Sequence, residues 1–343
     1  MRRRTSIIAM ASALSIAACL AGLDPPSFDG SDTLPDGSQE ASIGLDGSDG
    51  DATTDGGGDG NAPDGGVDAC TGKDTTQDPR HCGSCFHDCL LGGCTQSRCQ
   101  PWTVTTSVGT VAGLDVDDST DRVYFGVGND VWRVRIDGGA PEKMTTPSLP
   151  AAPNGITRSG LGFLACTGSG IYQIPPNAGA PTNLFPTVSS CVGIVADGTT
   201  IWASSVNTIY EVKAGGQIGQ HPTPPFPNQP SSIEIDVNAQ YLFYGSDNNG
   251  VRRVSKTAVD AGSTRVGPTG LDRPRGMAVA DEYLYITSIM PRQLSRIALD
   301  GGALTSIVDL DGGSIPHGTA RSSKTGAIYF SVGSTVRGVV PPP

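Results

Sequence analysis

The chain reads as an all-β protein. The fold class is a six-bladed β-propeller closed by an N-terminal strand, preceded by a disulfide-rich module and a disordered linker. Three observations predict it. An aromatic-centred apolar run recurs at Tyr124, Phe163, Trp202, Phe243, Tyr285 and Tyr329, in steps of 39, 39, 41, 42 and 44 residues. A second anchor, from Val131-Trp132-Arg133-Val134 through Leu294-Ser295-Arg296-Ile297 to Val336-Arg337-Gly338-Val339, keeps the same period. Beyond residue 100 no segment sustains the i, i+3, i+4, i+7 apolar spacing of a helix. A repeat of about 40–45 residues holding several short strands is the signature of propeller blades.

The unit is clearest from Pro274 to Thr305. Pro274-Arg275-Gly276 leads into an alternating run that ends at Asp281. Tyr283-Leu284-Tyr285-Ile286-Thr287 forms a second run, and Leu294 to Leu299 a third, closed by Asp300-Gly301-Gly302. The runs are short, rich in Val, Ile, Tyr and Phe, and bounded by Gly, Pro, Asp and Asn, as strands are. Asp137-Gly138-Gly139 repeats the closing turn, and Gly accepts the positive φ that tight hairpins need. One such sheet cannot cover both of its faces, whereas radial stacking covers each by its neighbours. The sixth repeat ends with its third strand at Val339, before Pro341-Pro342-Pro343. The β-rich stretch from Trp102 to Val108 precedes the first repeat and is the expected fourth strand of the last blade, which removes an open edge.

The runs Val-Tyr-Phe-Gly at 123–126, Ile-Trp-Ala-Ser at 201–204, Leu-Phe-Tyr-Gly at 242–245, Leu-Tyr-Ile-Thr at 284–287 and Ile-Tyr-Phe-Ser at 328–331 carry a resemblance. Followed by a third strand and an Asp-Gly-Gly type turn, they resemble the YWTD/NHL group of six-bladed propellers, and more closely the propeller lipoproteins of myxobacteria. The resemblance covers roughly residues 101–340. It implies architecture and says little of function, because propellers host many unrelated activities.

Residues 1–18 read as an export signal. Arg2-Arg3-Arg4 is followed by a short apolar stretch from Ile7 to Ala18, too short to span a membrane. Ile16-Ala17-Ala18-Cys19 matches the bacterial lipobox, so Cys19 is the expected lipidated residue; an ordinary cleavable signal with a chance Cys is the alternative. Leu20 stands where the common inner-membrane retention signal has Asp, so the expected location is the outer membrane, on its periplasmic side or at the cell surface. Residues 19–69 form a tether. Positions 20–69 hold 12 Asp or Glu and no Lys or Arg. Such a segment cannot repay its chain entropy, and as a coil it spans about 40 Å. Its Asp spacing faintly resembles calcium loops but lacks the Glu that ends an EF-hand loop.

Residues 70–100 carry Cys70, Cys82, Cys85, Cys89, Cys94 and Cys99. So short a segment builds no apolar core, and in an exported chain six cysteines read as three disulfides of open connectivity. Zinc is the alternative, on Cys82 and Cys85 flanked by His81 and His87. The pattern resembles short Cys-rich modules of secreted myxobacterial proteins, and more distantly the plant Stig1 type. Residues 101–340 are the propeller. Within it, Cys166 ends a second strand and Cys191 leads into the next blade, so a disulfide is expected there, with two free thiols as the alternative. The closed loop would contribute roughly 3 kcal/mol in the chain-entropy model.

The formal charge of −11 is local to the tether. Without residues 20–69 the balance is 22 acidic to 23 basic residues, with no basic stripe, so a nucleic-acid partner is excluded. G-x-S-x-G, H-E-x-x-H and Walker loops are absent. The residues leading into the innermost strands read as Ala112, Asn154, Val192, Ser231, Arg275 and His317, a set without a carboxylate. No cofactor and no metal are expected. Asn154, Arg275 and His317 each adjoin a Gly and are the candidate binding residues at the channel mouth; polar turn residues facing water are the alternative. The expected protein is a lipid-anchored, monomeric, non-enzymatic binder of an envelope protein or glycan. A hydrolase or lyase working at the channel mouth is the second reading, and a purely structural envelope protein the third.

Overall fold

The computed structural model describes residues 73–343, apart from 108, 207, 214, 223–232, 247–249, 260–261, 270 and 311–312. The expected export signal, Cys19, the expected tether, Cys70 and Ser231 lie outside the described residues. Six four-stranded antiparallel sheets form the propeller. Their first strands are Val111–Asp117, Pro153–Ser159, Gly193–Asp197, Ile233–Val237, Asp272–Ala280 and Pro316–Arg321. These six strands touch one another in sequence order, and the last touches the first, so they form the inner ring.

In the first five blades the strands lie in chain order from the axis outward. The sixth blade departs from this. Its outermost strand is Trp102–Thr106, paired antiparallel to Thr335–Val339 with Gly338 opposite Trp102 and Thr335 opposite Thr106. The predicted closure is therefore present, and it is sealed by packing. The Trp102 indole covers Gly338, where a Cβ would lie 2.3 Å from the ring, and meets the Tyr329 ring edge-on at 6.0 Å. The Asp-Gly-Gly turns also form as expected, with Gly138, Gly139, Gly301 and Gly302 all at positive φ.

The core lies between blades. The repeating aromatic of the second strand is buried between blades, facing the next sheet except in blade two, where Leu164 takes that place and Phe163 faces back to blade one. Tyr124 stacks on Phe163, with ring centres 3.5 Å apart, in a cluster shared by the first two blades. Trp202 and Tyr244 share a cluster across blades three and four. Phe243 and Ile286 do so across four and five. At the ends of the inner strands away from the mouth, polar groups join neighbours. Arg158 pairs with buried Asp117, Lys256 with Asp197, and Arg321 with Asp281. Blade six reaches blade one where Ser322 and Ser323 donate to Asp118.

The module before the propeller is held by Cys82–Cys94 and Cys89–Cys99, with Cα separations of 5.6 and 5.2 Å. Cys85 is also disulfide-bonded. The sulfurs of Cys82, Cys89 and Cys99 gather within 4.8 Å, but as disulfide sulfurs they are not zinc ligands. All three cysteines pack into the same apolar cluster as Trp102.

Trp102→Ala is expected to destabilise the protein by about 3–5 kcal/mol, the usual cost of emptying a large buried aromatic site. Chemical denaturation measures it; a loss under about 1 kcal/mol would mean that the ring is closed by other contacts.

Candidate active site in the channel

The inner strands meet so closely that side chains are excluded. A Cβ on Gly113 would lie 2.9 Å from Gly155 Cα, and one on Gly155 3.1 Å from Ile194 N. One on Gly276 would lie 2.5 Å from the Gly318 carbonyl carbon, and one on Gly318 2.8 Å from Leu114 Cβ. The sequence repeats Gly here at 113, 155, 193, 276 and 318, with Glu234 in the fourth blade.

Beside these glycines, four of the six inner strands carry a β-bulge among the described residues. The extra residue is Gly113, Asn154, Arg275 and Gly318 in blades one, two, five and six. A bulge bends the strand and re-aims a side chain, and bulges are over-represented beside active sites. Two of the three predicted mouth residues are thus bulge residues, and His317 immediately precedes the bulge at Gly318.

The three are not used alike. The Asn154 amide donates to the Cys191 carbonyl at 2.8 Å, which ties blade two to blade three. Cys191 is itself disulfide-bonded to Cys166, at a Cα separation of 5.4 Å. Arg275 and His317 come from adjacent blades and sense each other. Burial chiefly, and then the Arg275 charge, holds the His317 imidazole below its ordinary pKa. Near pH 7 His317 is therefore neutral, with one donor and one acceptor nitrogen.

Inside the ring is a cavity of ≈ 210 Å³ whose lining includes Asp115, Asn154, Thr157, Asp236, Thr319 and Arg321. Asp115 and Asp236 correct the expectation of a channel without carboxylates. They stand two residues beyond the glycine position, in blades one and four, which are opposite in a ring of six. Their trace in the sequence is an Asp between apolar strand residues, Leu114-Asp115-Val116 and Ile235-Asp236-Val237.

Each carboxylate accepts two main-chain N–H groups. Asp115 takes those of Val116 (2.8 Å) and of Arg158 in the next blade (2.6 Å). Asp236 takes those of Val237 (2.8 Å) and of Val279 in the next blade. Thr157 accepts Ala196 N–H in the same way at 3.2 Å. Burial dominates the acidity of both carboxyls. It pushes Asp115 up to about 6, against the pull of its two N–H bonds. It pushes Asp236 up to about 7, with Asp115 across the channel raising it further.

Carboxylates in a propeller channel raise the question of a metal. Among the described residues no trio of carboxylate or imidazole ligand atoms gathers within 4.8 Å, and the oxygens of both Asp already accept N–H groups.

Several solved structures share this fold. A streptogramin B lyase superposes over 71% of this chain and 98% of its own, at 16% identity and a TM-score of 0.52. A gluconolactonase of Xanthomonas campestris covers 71% and 89%, at 11% identity and 0.58. A luciferin-regenerating enzyme covers 70% and 95%, at 11% identity and 0.57. No family model and no curated protein matches the chain. The shared feature is the propeller fold. These neighbours overturn the expectation of a non-enzymatic protein, since propellers of this shape carry lyase and lactonase activity.

Two outcomes follow for stability. Gly276→Ala is expected to cost about 1–3 kcal/mol, because the added methyl meets the main chain of the sixth blade and not a flexible side chain; an unchanged melting temperature would show that the ring has slack. The second concerns pH. Asp115 and Asp236 hold protons more tightly folded than unfolded. Their contribution is complete below the ordinary Asp pKa of about 4 and is lost as pH rises through about 6 and about 7. His317 acts with the opposite sign, its contribution being lost as pH falls. The melting-temperature difference between wild type and Asp236→Asn, which has no proton to lose, is therefore expected to shift against wild type between pH 5 and pH 8. A constant difference would mean that Asp236 titrates at its ordinary value.

Proposed function

We propose that this propeller is a channel enzyme, a hydrolase or lyase that uses Asp115 and Asp236 as a general acid–base pair. The observation that supports it is the placement of two carboxyls in one cavity, on opposite blades, with acidities near neutral. A group whose pKa lies near the working pH exchanges protons most effectively, and two such groups at different values divide into acid and base.

The chemistry is explicit. Asp236, the weaker acid, donates a proton to a departing oxygen as its bond to carbon breaks. Asp115, ionised at neutral pH, accepts the other proton. In hydrolysis that proton comes from the water whose oxygen attacks the acyl carbon. In elimination it comes from carbon, and a C=C bond forms as the C–O bond breaks. Arg275 and His317 at the mouth would hold the polar or anionic part of the substrate, Arg275 as a forked donor. Asn154 positions the mouth through its bond to Cys191.

The sequence supports an address for this activity. The signal at residues 1–18 and the lipobox at Cys19 would deliver the propeller to the cell envelope on a lipid anchor.

The names of the fold neighbours choose the first assays, hydrolysis of gluconolactone and opening of streptogramin B. A wider panel of lactones, esters and uronic-acid glycans follows. Asp236→Asn is expected to lower kcat by about 10²–10⁴, the usual contribution of a general acid, and to remove the corresponding limb of the pH–rate profile. Arg275→Ala is expected to raise KM about ten- to a hundredfold if a charged hydrogen bond to substrate is lost. Unchanged kcat in both Asp115→Asn and Asp236→Asn, or no turnover anywhere in the panel, overturns the reading.

A further inference from the structure

A second concavity lies at the far end of the fifth blade's inner strand from Arg275. Its volume is ≈ 380 Å³, and its lining includes His87 of the Cys-rich module, Asp281, Glu282, Tyr283, Arg296 and Arg321. The chain's own Pro341, Pro342 and Pro343 bound it on one side.

The contacts to these prolines are specific. Arg296 donates one Nη to the Pro342 carbonyl and the other to the Pro343 main-chain oxygen, the latter at 3.2 Å. The same guanidinium lies over the Tyr283 ring, 4.5 Å from its centre. Tyr285 stands behind Tyr283, ring centres 6.5 Å apart, and is buried. Asp281 is paired with Arg321 at 2.6 Å, while Arg296 serves the prolines.

This is the chemistry that reads proline. A proline has no N–H, so a proline-rich segment presents only carbonyls and ring faces. Its extended helix is preformed, so little ordering entropy opposes docking. Known grooves for such segments combine aromatic faces with donors to the exposed carbonyls. Here a forked donor stacked on a tyrosine reads two successive main-chain oxygens, and the stacking holds the fork in place.

We propose that the groove between the Cys-rich module and the fifth blade is a docking site for a proline-rich segment of a partner polypeptide, and that Pro341-Pro342-Pro343 occupies it in cis as a competitor. The groove shares Arg321 with the channel lining, but Arg296 and Tyr283, which carry the proline contacts, do not line the channel, so the inference stands independently of the enzymatic reading.

The test uses the full chain with and without residues 341–343, and a fluorescein-labelled oligoproline of about eight residues, long enough for two turns of the extended helix. Fluorescence anisotropy is expected to show binding to the shortened chain at least about tenfold tighter than to the intact one, since the competitor is gone. A glycine–serine peptide of the same length should not bind. In the shortened chain Arg296→Ala and Tyr283→Ala are each expected to weaken binding about tenfold or more. Arg296→Lys, which keeps the charge and removes the fork, should weaken it as well and guards against a variant that fails to fold. No binding by a shortened chain of unchanged melting temperature overturns the proposal. Equal binding by intact and shortened chains, or binding untouched by both Arg296 variants, overturns it too.

Discussion

The structure depends on the close approach of six inner strands around one axis. Where they are nearest, main chain meets main chain. At Gly113, Gly276 and Gly318 a methyl group would collide with the next blade, and at Gly155 it would crowd it. This contact brings the sheets close enough for the apolar layers between them to fill, and each layer is shared by two blades. A propeller stabilised in this way has no core inside any one sheet. Its stability is collective, and the last interface must form for the first to hold, which is why the strand at Trp102–Thr106 matters beyond its five residues.

The same approach creates the site. The axis-facing edge of each inner strand has no strand beside it, so its N–H groups need other acceptors. Asp115, Thr157 and Asp236 answer part of that need by reaching to the neighbouring blade. A carboxylate used so is enclosed by protein, and enclosure raises its pKa. The clamp between blades and the near-neutral acid are one side chain with two consequences. The bulges act similarly. They leave Asn154 and Arg275 out of the ladder register, and Asn154 lines the cavity.

The repeat was legible because blade spacing, strand alternation and turn chemistry are local or periodic properties. Tyr124, Trp202, Phe243, Tyr285 and Tyr329 hold one register, with Phe163 one residue short of it, and the missing fourth strand of the last blade pointed to the one β-rich stretch left over. The mouth residues were partly legible, since a polar residue before a recurring Gly stands out. Asp115 and Asp236 lie beyond the entry positions, and nothing in the local sequence separates an Asp that faces the cavity from one that faces water. The engagement of Asn154 by the Cys191 carbonyl had no trace in sequence, because it joins residues 37 apart across two blades. The groove around Arg296 was equally hidden, as it brings together a module, a hairpin turn and a proline run from three distant parts of the chain.

By itself, then, the sequence determined the class, number and order of the blades and the manner of their closure. These follow from hydrophobic period and backbone preference, which act over a few residues and repeat. It also bounded the chemistry, by its charge balance and by the motifs it lacks. The tertiary structure alone decided which polar groups are buried, which face each other, and which are consumed in holding blades together. The acidity of Asp115 and Asp236, the neutral state of His317 and the stacking of Arg296 on Tyr283 are properties of an environment. That environment is assembled from several blades at once, and no stretch of the chain contains it.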